Sequence, residues 1–233
     1  MDLLRAACRY AVRYQPHLLL ALCFCLLPAR LPLQADAERM VPQRLIDKAR
    51  QEYGDDAAQV LENWRQILHD LQNAGEADKL KGVNAFINDA FPFISDERHW
   101  HQDDYWATPF ESLVTGGGDC EDYVIAKYYS LRQLGVDTGK LRITYVKAIR
   151  LNQAHMVLTY FPAPDAVPYV LDNLIGDIEP ASRRHDLAPV YSFNGEGMWL
   201  ERMKGQGVRM GNPNKLDLWT DLRIRMDELG MDL

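Results

Sequence analysis

The chain has 233 residues, 47% hydrophobic and 25% charged, enough for one domain with a core of ordinary size and no disulfide staples. Its formal net charge of −7, with no basic stripe, excludes a nucleic-acid surface.

The first 37 residues differ from the rest. Arg5, Arg9 and Arg13 make a positive opening, His17 to Leu27 is an apolar run, and Ala35-Asp36-Ala37 resembles a signal-peptidase cleavage site. The run is too short to cross a bilayer comfortably, which takes ~20 residues. We read 1–37 as a signal peptide that exports the chain to the periplasm, with an uncleaved anchor as the alternative, and 38–233 as the working domain. The leader holds Cys8, Cys23 and Cys25, so the exported domain keeps one cysteine, Cys120. Exported proteins usually pair their cysteines. A single leftover thiol is either buried and inert or kept for chemistry.

Pro42 opens a helical pattern that runs to about Glu52. A second helix is expected from Asp55 to Leu71, where Val60, Leu61, Trp64, Ile67, Leu68 and Leu71 recur at helical spacing and form a core face. A third runs from about Ala77 to Ala90, with Leu80, Val83, Phe86 and Ile87 inward, and Pro92 ends it. Residues 95–109 read as irregular and rich in aromatic and polar groups, the kind of loop that carries function. His99, His101 and Asp103 are metal-ligand types, but no second cluster at ligand spacing accompanies them.

Thr115-Gly-Gly-Gly118 is a flexible turn, Asp119 an N-cap, and Cys120 the start of a helix. Tyr123, Val124, Ala126, Tyr128, Leu131 and Leu134 put apolar residues mainly on one side of it, and Gly135 stops it. Strands follow at Leu141–Ile149, His155–Phe161 and Tyr169–Asn173, with links short enough for an antiparallel meander packed on the Cys120 helix. The stretch to about Gly211 reads as loop, and an amphipathic helix from Leu216 to Leu229 closes the chain. The fold class is α+β.

Three features converge on Cys120. A thiol in the first turn of a helix feels the positive end of the macrodipole, which favours thiolate. Gly116, Gly117 and Gly118 permit close backbone approach, and their N–H groups are candidates to hold an oxyanion. His155 starts one strand and Asp172 lies on the next, so an imidazole oriented by a carboxylate can serve as base and then acid. His69, His99, His101 and His185 compete for that role; the apolar run after His155 places it at the edge of the core.

Asp119, Glu121 and Asp122 surround the thiol and work against it. At an effective dielectric of ~20, one carboxylate ~6 Å away opposes a thiolate by roughly 3 kcal/mol, about two pKa units. Two readings stand. The acids cap the helix as an Asp-x-x-Asp box, or they ligate Ca²⁺, which accepts six to eight oxygens in irregular geometry.

Gly-Asp-Cys120-Glu-Asp-Tyr, the following Ala-Lys-Tyr-Tyr-Ser-Leu-Arg-Gln-Leu-Gly, the preceding Tyr-Trp-Ala-Thr-Pro and the later His-Met-Val-Leu and Leu-Asp-Asn segments resemble the bacterial transglutaminase-like cysteine proteinases. The resemblance implies a papain-like, transglutaminase-type core of N-terminal helices and an antiparallel sheet packed on the catalytic helix. It implies a triad of Cys120, His155 and Asp172, and calcium held by Asp119, Glu121 and Asp122. It further implies a periplasmic endopeptidase that cuts the N-terminal region of a large repeat-containing surface adhesin near paired alanines. The adhesin is then released and the biofilm disperses. An inner-membrane cyclic di-GMP receptor sequesters such an enzyme through an exposed tryptophan, for which Trp100 and Trp106 are the candidates. Transamidation or cell-wall peptide hydrolysis by the same residues, and a non-catalytic calcium-gated binding module, are the alternatives.

Overall fold

The computed structural model describes residues 39–200, 207–211 and 216–232; the leader read at 1–37 lies outside them. The chain begins with a helical layer of α1 (Gln43–Tyr53), α2 (Asp55–Leu71) and α3 (Glu76–Ala90), at the positions the periodicity predicts. Only Gly54 separates α1 from α2. Its φ of 96° lies in the left-handed region, open to glycine at little cost, and lets the chain reverse in one residue. Trp64 is buried, and its indole donates to Ser130 Oγ over 2.9 Å, so the α2 stripe is core as expected.

Residues 95–108 are largely irregular, interrupted by the single turn α4 (Asp96–His99). A helix absent from the expectations, α5 (Pro109–Thr115), follows. Its signal is in the sequence: Thr108 and Glu111 form a capping box around Pro109, with Glu111 N–H donating to Thr108 Oγ1 (3.1 Å) and Thr108 N–H to Glu111 Oε2 (2.7 Å).

The helix that carries the thiol, α6 (Cys120–Gln133), is buried continuously from Glu121 to Leu131. The expected one-sided pattern understates this. The helix runs through the middle of the domain, with α2, α3 and α5 on one flank and the sheet on the other, so its polar residues are enclosed as well.

The sheet is antiparallel, in the order β4-β3-β2-β1-β5-β6-β7. β1 (Leu141–Ala148), β2 (Gln153–Tyr160) and β3 (Tyr169–Leu171) form the expected meander, which β4 (Glu179–Pro180) extends, β1 and β2 pairing from Leu141 with Tyr160 to Ala148 with Gln153. Residues 179–211, read as loop, supply four strands: β4 and then β5 (Leu187–Phe193), β6 (Met198–Leu200) and β7 (Val208–Gly211). β5 pairs with the other edge of β1. Pro189 hides it from a strand pattern. The proline is tolerated because the ladder shifts there: Tyr145 pairs with Tyr191 and Val146 with Pro189, leaving Val190 as the extra residue of a bulge. The last helix, α7 (Asp217–Glu228), buries Trp219, Leu222 and Met226, and Trp219 packs edge-on against Tyr128 and Phe193.

Candidate active site

The glycine turn before α6 is shaped by close approach. A Cβ on Gly117 would lie 2.8 Å from Ile94 Cδ1, and one on Gly118 2.6 Å from Asp122 Oδ2. The N–H groups of Gly116 and Gly117 are taken by Ser112 O at 3.1 and 3.2 Å, so they are not the oxyanion donors suggested by the sequence. The better donor is the N–H of Cys120 itself, which as the first residue of α6 has no intrahelical acceptor.

Cys120 and His155 line one cleft of about 550 Å³. Trp106 and Tyr145 stand in its wall beside Tyr191, which stacks on Tyr145 at 5.1 Å and 6°. His155 is buried, and its Nε2 lies 2.8 Å from Asp172 Oδ1. Burial alone would raise the Asp172 carboxyl. Hydrogen bonds from His155, Arg184 and the Leu174 N–H instead hold it down at about 2. Asp172 is therefore an ionised acceptor, Nε2 carries the proton it donates, and Nδ1 is left as the basic nitrogen. Among the rivals, half-buried His69 and exposed His185 do not line the cleft, His99 bonds Thr115 Oγ1 at 2.8 Å, and His101 sits exposed at φ 57°.

The thiol bonds to Glu121 Oε2 at 3.1 Å. Burial, followed by the charges of Glu121 and Asp119, pushes the thiol far above its ordinary range. The acids themselves are held up. Burial and Asp119 raise Glu121 to about 10; burial, with the charges of Asp119 and Asp104, raises Asp96 to about 6; burial also raises Asp122 and Asp104.

Asp122 has both oxygens on backbone N–H groups, Oδ1 on Ala107 (2.8 Å) and Oδ2 on Asp119 (3.0 Å), as a cap does. Asp119 Oδ1 and Asp96 Oδ1 are buried without a hydrogen-bond partner among the described residues. Asp96, Asp104 and Glu121 bring one oxygen each within 4.8 Å of one another, and Asp96, Asp119 and Asp122 do the same. An all-oxygen cluster with orphaned carboxylate atoms and raised pKa values fits a hard divalent cation such as Ca²⁺. The acids expected from the sequence, Asp119, Glu121 and Asp122, all fall in these groups, and Asp119 and Asp122 also form the capping box of α6. Asp96 and Asp104 join the groups from the 95–108 loop and were not legible from spacing. No histidine belongs to such a group among the described residues, so His99, His101 and Asp103 do not form a site.

A lone thiol at a helix N-terminus, sharing a cleft with a carboxylate-held imidazole on an antiparallel sheet, is the arrangement of thiol peptidases of the transglutaminase type. The chain belongs to the bacterial transglutaminase-like cysteine proteinases: that family's model matches residues 54–188. No curated protein matches. Among solved structures the fold is similar to Legionella pneumophila LapG, at 40% identity and a TM-score of 0.69 over 79% of this chain and 96% of that one. It is similar to EGTA-treated LapG of that organism at a TM-score of 0.70, with the same identity and coverage. It is also similar to the calcium-bound form at 41% identity and a TM-score of 0.67, over 78% of this chain and 97% of that one.

Proposed function

We propose that this cysteine proteinase is a calcium-dependent periplasmic endopeptidase that cuts the N-terminal region of a large repeat-containing surface adhesin, releasing it and promoting biofilm dispersal. The observation that carries the reading is the shared cleft of Cys120 and His155, with His155 fixed by ionised Asp172.

Cys120 is the nucleophile. Its proton passes to His155 Nδ1, and the sulfur adds to the scissile carbonyl. The Cys120 N–H donates to the oxyanion. His155 then protonates the leaving amine, and an acyl-enzyme remains on Cys120. In the second half His155 takes a proton from water as the water oxygen adds to the acyl carbon; the C–S bond then breaks, the new carboxyl terminus leaves and the proton returns to Cys120. Asp172 holds the imidazole in the required tautomer and stabilises the imidazolium.

Asp96, Asp104, Asp119 and Glu121 would hold Ca²⁺, in keeping with the calcium-bound form of Legionella LapG. The cation supplies charge compensation for the acids that now oppose the thiolate. Asp122 shapes the turn beneath them.

The leader and the lone exported cysteine support a periplasmic address. Among the described residues no helix is long and apolar enough to cross a membrane. Control by an inner-membrane cyclic di-GMP receptor of the LapD type completes the reading. For contact with it Trp100, half-buried beside Tyr105, is the better candidate, because Trp106 is only 5% exposed and stacks on Phe193.

The test is mass spectrometry of an adhesin N-terminal fragment after incubation with the purified protein and Ca²⁺. A new chain terminus is expected, and it should be absent with Cys120→Ala. A crosslink or amine adduct in place of a terminus would assign transfer; an intact fragment beside full receptor binding would assign a binding module.

A further inference from the structure

Asp172 has more partners than an orienting carboxylate requires. Oδ1 accepts from His155 Nε2 (2.8 Å) and from Leu174 N–H (3.0 Å). Oδ2 accepts from Arg184 Nη2 over 2.6 Å. Arg184 lies twelve residues downstream, just past a single 3₁₀ turn (Ala181–Arg183), and is 3% exposed. Its guanidinium is gripped from the other side by Asp186: Nε donates to Oδ1 over 3.0 Å and Nη2 to Oδ2 over 2.8 Å. That edge-on pairing with two parallel bonds fixes the plane of the guanidinium. Asp186 is itself tied to the end of β1, since Ile149 N–H donates to Asp186 O over 2.8 Å. The backbone carbonyl of Asp172 is held too, by Asn88 Nδ2 from α3 at 2.9 Å.

A carboxylate held only by an imidazole is free to rotate about its Cβ–Cγ bond and carry the ring with it. Here the second oxygen is pinned to a rigid arginine, so the carboxylate plane and the imidazole it holds share one orientation. A buried arginine paired with one carboxylate would serve stability alone. One placed between two carboxylates, with one of them on the histidine, couples the sheet edge to the nucleophile's base.

We propose that Arg184, anchored by Asp186, is a positioning residue for the Asp172–His155 pair. The inference rests on the cysteine-peptidase reading above.

The test measures kcat and KM on the adhesin N-terminal fragment, together with the rate of Cys120 alkylation by iodoacetamide at neutral pH, in the full calcium-loaded protein. Arg184→Met is expected to lower kcat by about tenfold or more with KM nearly unchanged, since displacing a reacting group by ~1 Å can cost on the order of a hundredfold. Alkylation should slow in parallel. Arg184→Lys should keep part of both, and added guanidinium ion should restore part of Arg184→Met but nothing of Asp172→Ala. Asp186→Asn leaves the arginine in place on one anchor. It should lower kcat severalfold at unchanged KM, and it decides the matter if Arg184→Met does not fold. A folded Arg184→Met or Asp186→Asn protein with parental kcat and alkylation overturns the assignment. So does a loss that tracks melting temperature and yields to neither lysine nor guanidinium. A parent protein that alkylates but cuts no adhesin defeats the substrate reading alone, and the alkylation rates then decide for Arg184.

Discussion

Cys120 Sγ donates to Glu121 Oε2 over 3.1 Å, so the acid beside the nucleophile helps keep on sulfur the proton that catalysis must remove. Compensating that carboxylate should free the thiol. One acid at ~6 Å is worth roughly 3 kcal/mol at an effective dielectric of ~20, or about two pKa units. Alkylation of Cys120 at neutral pH should therefore be faster with Ca²⁺ than with a chelator by about tenfold to a hundredfold. In Glu121→Gln the response to calcium should shrink, since Asp119 remains the other acid raising the thiol. Equal rates with and without calcium in the parent protein would show that the acids do not govern the thiol.

The carboxyl of Asp172, at about 2, sits below its ordinary value because of His155 and Arg184. A depressed carboxyl stabilises the fold above its unfolded pKa and loses that contribution as pH falls through its folded one. Roughly 2 kcal/mol should thus disappear between about pH 4 and pH 2. Asp172→Asn should show less of this acid sensitivity in its melting temperature. At neutral pH it should be less stable than the parent, because Arg184 is left facing one acid fewer, and it should lose about a hundredfold or more in kcat. Parallel melting profiles of the two proteins from neutral to acid would contradict the assignment.

Asp96 is raised to about 6 by burial and by the charges of Asp119 and Asp104. A raised carboxyl holds its proton up to that pH, and protons compete with a cation for it. Calcium affinity, read by titration calorimetry, should fall as pH drops through about 6. Asp96→Asn and Asp104→Asn should weaken binding. Asp122→Asn should cost melting temperature through its two backbone hydrogen bonds and leave affinity less affected. Affinity lost with Asp122 and kept without Asp96 would reverse the division of roles.

Lys127 is buried on α6 with no hydrogen-bond partner for its Nζ among the described residues, and Nζ lies 5.9 Å from the centroid of the Tyr123 ring. Burial lowers it to about 7, with the charge of Asp172 opposing. Between there and its ordinary range the unfolded chain binds the extra proton, so stability should rise with pH from about 7 to 10. Lys127→Met fills the same space without the charge and should raise the melting temperature at neutral pH and flatten that rise. A lower melting temperature in Lys127→Met would show that the amine has a stabilising partner.

Most of the framework was legible because it is written in period. The α2 and α3 stripes repeat at helical spacing, and β1 to β3 are short apolar runs between turn residues. Residues 179–211 lacked that signature: β4 has two residues, β6 three, and Pro189 interrupts β5 at a bulge. The burial of α6 on both flanks depends on which elements surround it, which no local pattern encodes. The capping box at Thr108 was readable and marks α5.

The site divides the same way. Cys120, Asp119 and Glu121 are neighbours in sequence, and His155 and Asp172 lie on adjacent strands, so spacing and family likeness point to them. Asp96 and Asp104 reach the acidic cluster through an irregular loop. Arg184 reaches Asp172 around a 3₁₀ turn. Those meetings are made by tertiary structure alone.

The most direct measurement is the rate at which an adhesin N-terminal fragment acquires a new terminus under three conditions: the protein with Ca²⁺, the protein with chelator, and Cys120→Ala with Ca²⁺. Cleavage is expected in the first and should recover in the second when Ca²⁺ is returned. Cleavage by Cys120→Ala, or cleavage undiminished by chelator, would contradict a calcium-dependent Cys120 nucleophile.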